Sequence, residues 1–142
     1  MSKNTEFTNK LRSSGLRPTK QRLKICEVLF NRDHTFHFTI NDLAKNISKV
    51  LNERISLATV YNTVHAFKKK GYLKEISINS DKSYFDTNTT NHHHFFDEDT
   101  NELIDCDDGI IETPKIKKNI SGKKINSVEV LVKVATDNQN QK

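Results

Sequence analysis

Apolar residues in the first half of the chain recur every three to four positions, the spacing that places them on one face of a helix. A first short helix is predicted to end at Gly15, and Pro18 is predicted to open a second. The apolar face of the second helix consists of Leu23, Cys26, Leu29 and Phe30. Cys26 is therefore predicted to be a core residue rather than a redox group.

Two further helices are predicted, each preceded by a hydroxyl side chain suited to an N-cap. Thr39 precedes the third helix, whose apolar face holds Ile40, Leu43, Ala44, Ile47 and Val50. Ser56 precedes the fourth, which runs to Gly71 with an apolar stripe of Leu57, Val60, Tyr61, Val64 and Phe67. Its opposite face displays small or hydrogen-bonding side chains: Ala58, Thr59, Asn62, Thr63, Ala66 and Lys69.

After the fourth helix the pattern changes to the alternation of a strand. The segment "YLKEISINSDKSYFDT" alternates on both sides of "NSDK", which predicts a β-hairpin. Helices followed by such a hairpin form a winged helix-turn-helix. The small polar face of the fourth helix suits the major groove, because small side chains allow close approach to base edges.

The second half of the chain is predicted to be a smaller α/β unit. "HHHFFDED" and "ELIDCD" read as a hairpin that turns at residues 99–101, "TPKIKKNISGKK" as a short helix and loop, and "INSVEVLVKVA" as a strand. Such a unit has a thin core, which a homodimer would complete. The predicted fold class is α+β, with a DNA-binding domain at 1–87, a dimerisation and sensing domain at 88–142, and a disordered tail from 136.

Charge divides the chain in the same way. Residues 1–88 contain 16 Lys and Arg and 8 Asp and Glu, whereas residues 89–142 contain 7 Lys and Arg and 10 Asp and Glu. The net charge of the whole chain is +5. A basic half is typical of nucleic-acid binding. We find no signal segment and no long apolar run, which predicts a cytoplasmic protein without a membrane segment. The two cysteines, Cys26 and Cys106, form no CxxC pair and are expected to be reduced thiols.

Several motifs resemble the ferric uptake regulator superfamily of dimeric, metal-responsive bacterial repressors. They are "GLRPTKQR", "ISLATVYNTVHAFKKKGYL", "SYFDT", and "HHH" followed by "ELID", and the resemblance extends over nearly the whole chain. "ATVYNT", "YFDTN" and "HHHFF" without cysteine pairs are most similar to the iron response regulator branch of alphaproteobacteria. The resemblance implies a regulator of iron or haem homeostasis that binds a pseudo-palindromic operator in double-stranded DNA.

The predicted DNA-binding residues combine the pattern with the resemblance. The resemblance implies that Tyr61 lies near thymine methyl groups and that Arg17 lies near phosphate or the minor groove. Arg22, close to a helix start, is predicted to contact phosphate. The full predicted set is Arg17, Arg22, Ser56, Ala58, Thr59, Tyr61, Asn62, Thr63 and Lys69.

The histidine run is the candidate ligand site. Because side chains alternate along a strand, His92 and His94 point to one face and His93 to the other, so the three cannot share one metal. The resemblance implies a hinge site, whose ligand sets the angle between the DNA-reading domains, and a second site in the dimerisation domain. The hinge ligands would be His37, Asp86, His93 and Asp105, and the second set His92, His94 and Glu112.

The predicted ligand is iron or haem, with manganese or zinc as the alternatives. Adjacent phenylalanines favour haem, whereas the missing Cys-Pro motif argues against it. The structural zinc held by cysteine pairs in many relatives is not expected here. The sequence leaves two other functions open: a metal-binding protein without a DNA role, and a metal-dependent hydrolase. The hydrolase is disfavoured because no nucleophile or base accompanies a complete metal site, so the protein is predicted not to be an enzyme.

Overall fold

The structure, a computed structural model, describes residues 2–138 and consists of two compact units. The first unit ends at Thr89 and the second begins at Thr90. The fold is α+β, as predicted: four helices and a three-stranded sheet form the first unit, and a second three-stranded sheet forms the other. Within the described residues, no helix has the length and apolarity needed to cross a bilayer.

The four predicted helices are all present. They are α1 (Lys3–Ser13), α2 (Lys20–Phe30), α3 (Ile40–Leu51) and α4 (Leu57–Lys70). The side chains of Thr39 and Ser56 cap α3 and α4, which confirms both predicted N-caps. The prediction for Pro18 was wrong by two positions, because the hydroxyl of Thr19 accepts the Arg22 N–H and α2 begins after this cap.

The predicted hairpin of the first unit is confirmed, and it carries a third strand that was not predicted. The hairpin consists of β2 (Lys74–Asn79) and β3 (Lys82–Asp86), and β1 (His37–Phe38) pairs antiparallel with the other side of β3. His37 was expected in a loop, but it lies in β1 opposite Asp86. A strand of two residues is too short to show alternation in sequence.

The core of the first unit lies between the four helices and the sheet. Ile25, Leu29, Val60, Val64 and Phe67 are almost completely buried there. Cys26 is fully buried among them, which confirms its predicted place. Burial raises the pKa of its thiol to about 12, so this cysteine stays protonated and unreactive in the folded protein.

One ion pair attaches the end of α4 to the wing. The carboxylate of Glu75 on β2 bonds to the ammonium of Lys68 and to the hydroxyl of Ser83. The hydrogen bond from Lys68, followed by that from Ser83, holds the pKa of Glu75 below its ordinary value of 4.5. The ionised carboxylate is therefore the form that stabilises the folded state.

A group with a depressed pKa stabilises the fold above its unfolded-state pKa and loses that contribution as the pH falls through its folded-state pKa. We expect the free energy of unfolding to decrease below about pH 4.5, and Glu75→Gln to remove part of this decrease. Urea unfolding of both proteins over a pH series measures the effect. Parallel pH profiles for the two proteins would contradict it.

The second unit is built on β4 (His94–Asp97), β5 (Glu102–Asp105) and β6 (Leu131–Val134). The hairpin of β4 and β5 is present, but its turn spans residues 98–101, one residue more than the predicted 99–101, and β6 lies parallel to the other side of β4. The strand predicted over residues 125–135 is shorter, because β4 offers pairing partners to only four residues.

Two further features of the second unit differ from expectation. Residues 113–124 form no helix, since the side chain of Asn119 bonds to the Lys123 carbonyl and the Ile120 N–H and stabilises a turn. At the start of the predicted disordered tail, the Thr136 N–H donates to the carboxylate of Asp99. Residues 139–142 of that tail lie outside the described residues.

Candidate metal centre and nucleic-acid interface

Three potential ligands meet where β4 begins and β5 ends. His94 and Asp105 are cross-strand partners, and His92 lies on the same face two residues earlier. The Asp105 Oδ1 atom is 3.2 Å from His94 Nε2 and 3.5 Å from His92 Nε2. One nitrogen or oxygen atom from each residue lies within 4.8 Å of the others, which is the separation of ligands around one ion. We call these three residues the ligand cluster.

The hydrogen bonding of His92 prepares it to bind a metal. Its Nδ1 atom lies 2.7 Å from the carbonyl oxygen of Thr90, which can only accept, so Nδ1 carries the proton. In the neutral ring the Nε2 atom then carries the lone pair, and this atom lies 3.5 Å from the Asp105 carboxylate. An outer hydrogen bond of this kind fixes the tautomer of many metal-binding histidines.

Burial distinguishes the two histidines from the carboxylate. The side chains of His94 and His92 are only 4% and 12% exposed, whereas that of Asp105 is 52% exposed. The cluster therefore has an inner wall of imidazole and one carboxylate open to solvent. Two imidazole nitrogens with one carboxylate oxygen suit iron, manganese or zinc.

His93 lies on the opposite face, and both its ring nitrogens are engaged. Nδ1 accepts the Val130 N–H at 2.9 Å, so in the neutral ring Nε2 carries the proton and faces the hydroxyl of Thr113 at 3.1 Å. These bonds attach the residue before β4 to Val130, which directly precedes β6, and to Thr113. The tautomer of His93 is thus the reverse of that of His92, and its contacts are those of a residue that holds the fold together.

The structure groups the predicted ligands differently from the sequence. Asp105 was expected with His93, but the register of β4 and β5 places it beside His92 and His94. Glu112 was expected with these histidines, yet it is exposed and does not belong to the ligand cluster. The predicted alternation of His92, His93 and His94 between two faces is correct. Which histidine lies beside Asp105 depends on the register of β4 and β5, and a prediction one residue off in the turn changes it.

His37 and Asp86 are brought together within the first unit as partners on β1 and β3. Asp86 is 1% exposed, and its carboxylate accepts the Asn88 N–H at 2.8 Å. Lys74 lies opposite Asp86 on β2. The pKa of this lysine lies below its ordinary value, because burial lowers it by more than the Asp86 carboxylate raises it. The assignment of His37 and Asp86 as metal ligands stays a prediction.

Helix α4 exposes a different face from the one predicted. Leu57 and Tyr61, assigned to the apolar stripe, are 54% and 52% exposed. Thr63, assigned to the reading face, is fully buried and donates its hydroxyl hydrogen to the Thr59 carbonyl. Both corrections have one cause: the buried face is centred on Val60, Val64 and Phe67, and residue 63 lies within it. The exposed face consists of Leu57, Ala58, Tyr61, Asn62 and Lys69, and we call it the α4 surface.

The other predicted DNA-binding residues are partly committed to local structure. Ser56 and Thr59 bond to each other at the N-cap of α4, with their oxygen atoms 2.8 Å apart. Arg22 donates from its guanidinium to the carbonyl oxygen of Arg17 at 3.0 Å. Arg17 itself is exposed at the start of this turn. Arg22 therefore positions the segment that carries Arg17.

Sequence reasoning missed the residue that supports Tyr61. The ring of His65, one turn later on α4, lies 4.0 Å from the ring of Tyr61 between centroids. The other edge of His65 contacts Phe85 of β3 at 5.5 Å. The i, i+4 spacing of the two rings was the available signal. Tyr61 is thus held against the helix surface although half of it is exposed.

Residues 13–134 match the protein family described as "Ferric uptake regulator family". A peroxide-responsive repressor, PerR, of Staphylococcus aureus strain Mu50 is 37% identical over 95 residues, which is 67% of this chain and 62% of that protein. The matched stretch thus spans less than two thirds of the length of that repressor.

Solved structures of similar fold cover nearly the whole chain. The ferric uptake regulator of Pseudomonas aeruginosa with manganese superposes with a TM-score of 0.65 and 25% identity, covering 96% of this chain and 98% of that one. The ferric uptake regulator of Vibrio cholerae superposes with a TM-score of 0.67 and 24% identity, covering 91% of this chain and 98% of that one. The family match and the shared fold lead to one conclusion: this chain belongs to the ferric uptake regulator family.

Proposed function

We propose that this protein is a DNA-binding transcription regulator whose affinity for its operator depends on a bound transition-metal ion. The observation that carries this proposal is the ligand cluster, in a chain that also presents a winged-helix reading surface. The S. aureus relative is named a peroxide-responsive repressor, and the P. aeruginosa structure is a ferric uptake regulator with manganese. Both names describe regulators, and neither describes an enzyme.

The α4 surface supports the DNA-binding part of the proposal. It joins an apolar patch of Leu57 and Tyr61 to Ala58 and Asn62, which are small or able to hydrogen-bond. Apolar groups contact thymine methyls, and a carboxamide pairs with adenine in the major groove. Lysine at the far end of the helix supplies the charge that phosphate contacts need.

The geometry of the ligand cluster supports an ion rather than haem. Ligand atoms within 4.8 Å of one another fit around a single ion. His94 is 3% exposed, so a haem could reach its nitrogen only after the strand moved. Iron is the proposed metal, with manganese and zinc as the alternatives of similar ligand preference. Assignment to the iron response regulator branch stays a prediction from the sequence motifs.

The second unit supports a homodimer. Its only buried apolar side chains among the described residues are Phe96 and Leu103. Several large apolar residues of the same unit are exposed: Ile104, Ile110, Ile116, Ile120, Ile125 and Val134. Units of this size bury only a modest fraction of their surface, so a core of two buried apolar side chains favours completion by a second copy. Pairing with a second copy would cover the exposed isoleucines.

Metal-dependent DNA binding tests the proposed function. The protein is purified without chelator, its metal content is measured, and a visible spectrum is recorded. DNA selected from a random duplex library is then titrated by fluorescence anisotropy with excess Mn²⁺ and with chelator. We expect tighter binding with the metal, since only a ligand that distinguishes two arrangements of the protein can shift DNA affinity. Metal binding without any DNA binding would leave a metal-binding protein, and a Soret band on the purified protein would identify haem instead.

A further inference from the structure

A cleft of about 390 Å³ lies between the end of α1 and the exposed side of α4. Its α4 wall is formed by Asn62, His65, Ala66, Lys69 and Lys70, and its α1 wall by Ser13 and Ser14. Among residues 2–138, no carboxylate side chain lines the cleft. Its volume falls within the range of small-ligand sites, roughly 300–1,000 Å³. Cations, hydrogen-bonding groups and space therefore occur together beside the α4 surface.

The width of the cleft is set by contacts behind it. The hydroxyl of Ser13 lies 2.8 Å from the hydroxyl of Tyr72, just beyond the end of α4. The ammonium of Lys10 lies between the rings of Phe30 and Tyr72, at 3.9 and 4.3 Å from their centroids. These contacts join α1 to the chain that follows α4. The cleft is thus formed before any ligand arrives, which lowers the cost of binding.

The hydrogen-bonding capacity of the walls is unequal. The hydroxyls of Ser13 and Ser14 both donate to the carbonyl oxygen of Lys10, at 3.0 and 2.8 Å. The remaining polar groups of the lining come from α4: the ammonium groups of Lys69 and Lys70, the carboxamide of Asn62 and the imidazole of His65. Ala66 provides the open space between them. Such a one-sided array of donors around a small residue suits a phosphate group.

The lysines at this end of α4 are not equivalent. Lys68 is bonded to Glu75, so its charge is compensated. Lys69 and Lys70 are exposed and line the cleft. The cleft thus has two ammonium groups, and an adjacent lysine serves as an internal control of the same type on the same helix.

We propose that this cleft holds a backbone phosphate of the DNA, and that it anchors the strand beside the groove read by α4. The inference rests on the proposed DNA-binding function, and it adds His65, Ala66 and Lys70 to the residues of the interface. It also explains why Ala66 stands where a longer side chain would fill the cleft.

The test measures DNA affinity against salt concentration for a short mixed-sequence duplex with excess Mn²⁺. The plot of log affinity against log salt has a slope of about −0.9 for each phosphate contact. We expect the slope of a Lys69→Gln/Lys70→Gln variant to be smaller than that of the wild type by about 0.9. Ala66→Leu, which fills the cleft without changing charge, is expected to have the same effect. Lys68→Gln, the control, should keep the wild-type slope.

The outcomes separate the inference from the proposed function. Absence of DNA binding by the wild-type protein would remove both. Wild-type binding with an unchanged slope in either cleft variant would overturn the inference alone. Inorganic phosphate is also titrated into the DNA-free protein and followed by the NMR signal of His65. Saturation of the cleft by phosphate together with a wild-type slope for Ala66→Leu would assign the site to a free anion, and so overturn the DNA assignment. Thermal unfolding establishes that each variant is folded.

Discussion

Replacing His94 with alanine is expected to lower the affinity for Mn²⁺ by more than about 100-fold, since loss of even an outer partner of a ligand costs roughly 10–100-fold. His94 is the most buried member of the ligand cluster, and its Nε2 atom lies 3.2 Å from the Asp105 carboxylate. Removing it leaves His92 and Asp105, which alone hold a metal weakly. Isothermal titration with Mn²⁺ under anaerobic conditions measures the loss.

The matched control is His93→Asn on the adjacent position. The ring of His93 bonds to the Val130 N–H and faces the Thr113 hydroxyl, so its removal should alter stability more than metal affinity. We expect Mn²⁺ affinity within a few-fold of the wild type in this variant, with a lower melting temperature for the metal-free protein. The reverse pattern, in which His93→Asn loses the metal and His94→Ala keeps it, would restore the grouping predicted from the sequence.

Replacing Tyr61 with alanine is expected to weaken binding to selected DNA by roughly 1–3 kcal/mol, the usual cost of losing recognition at one base pair. Tyr61 is half exposed on the α4 surface and is supported by the ring of His65, so its removal changes the interface and leaves the core intact. Fluorescence anisotropy at constant salt and metal concentration measures the effect. Duplexes with thymine replaced by uracil should weaken wild-type binding and leave the variant unaffected, if the ring contacts a thymine methyl.

Thr63→Val is the matched control on the same helix. Thr63 was predicted to face DNA, but it is buried and its hydroxyl bonds to the Thr59 carbonyl. Valine has a similar shape and removes only this hydrogen bond, so DNA affinity should stay at the wild-type value. Loss of affinity in Thr63→Val equal to that in Tyr61→Ala would indicate that both substitutions act through the stability of α4 rather than through a contact with DNA.

Local patterns explain why so much of the first unit could be predicted. Thr39 and Ser56 cap their helices through bonds to residues three positions later, and such short-range geometry is encoded in neighbouring residues. The hairpin of β2 and β3 is equally local. The error at Leu57, Tyr61 and Thr63 arose because a helix of period 3.6 has border positions, and the elements packed against it decide which of these are buried.

The sequence by itself determined the four helices of the first unit, both hairpins, the alternation of His92 to His94 and the family motifs, because each depends on residues close together in the chain. The tertiary structure alone decided which acid joins which histidine. Asp105 lies beside His94 through the register of two strands, and His93 is engaged by Val130, 37 residues later. The register of this hairpin depends on the length of its turn, where a difference of one residue moves every side chain to the other face, and the bond to Val130 depends on how distant segments pack.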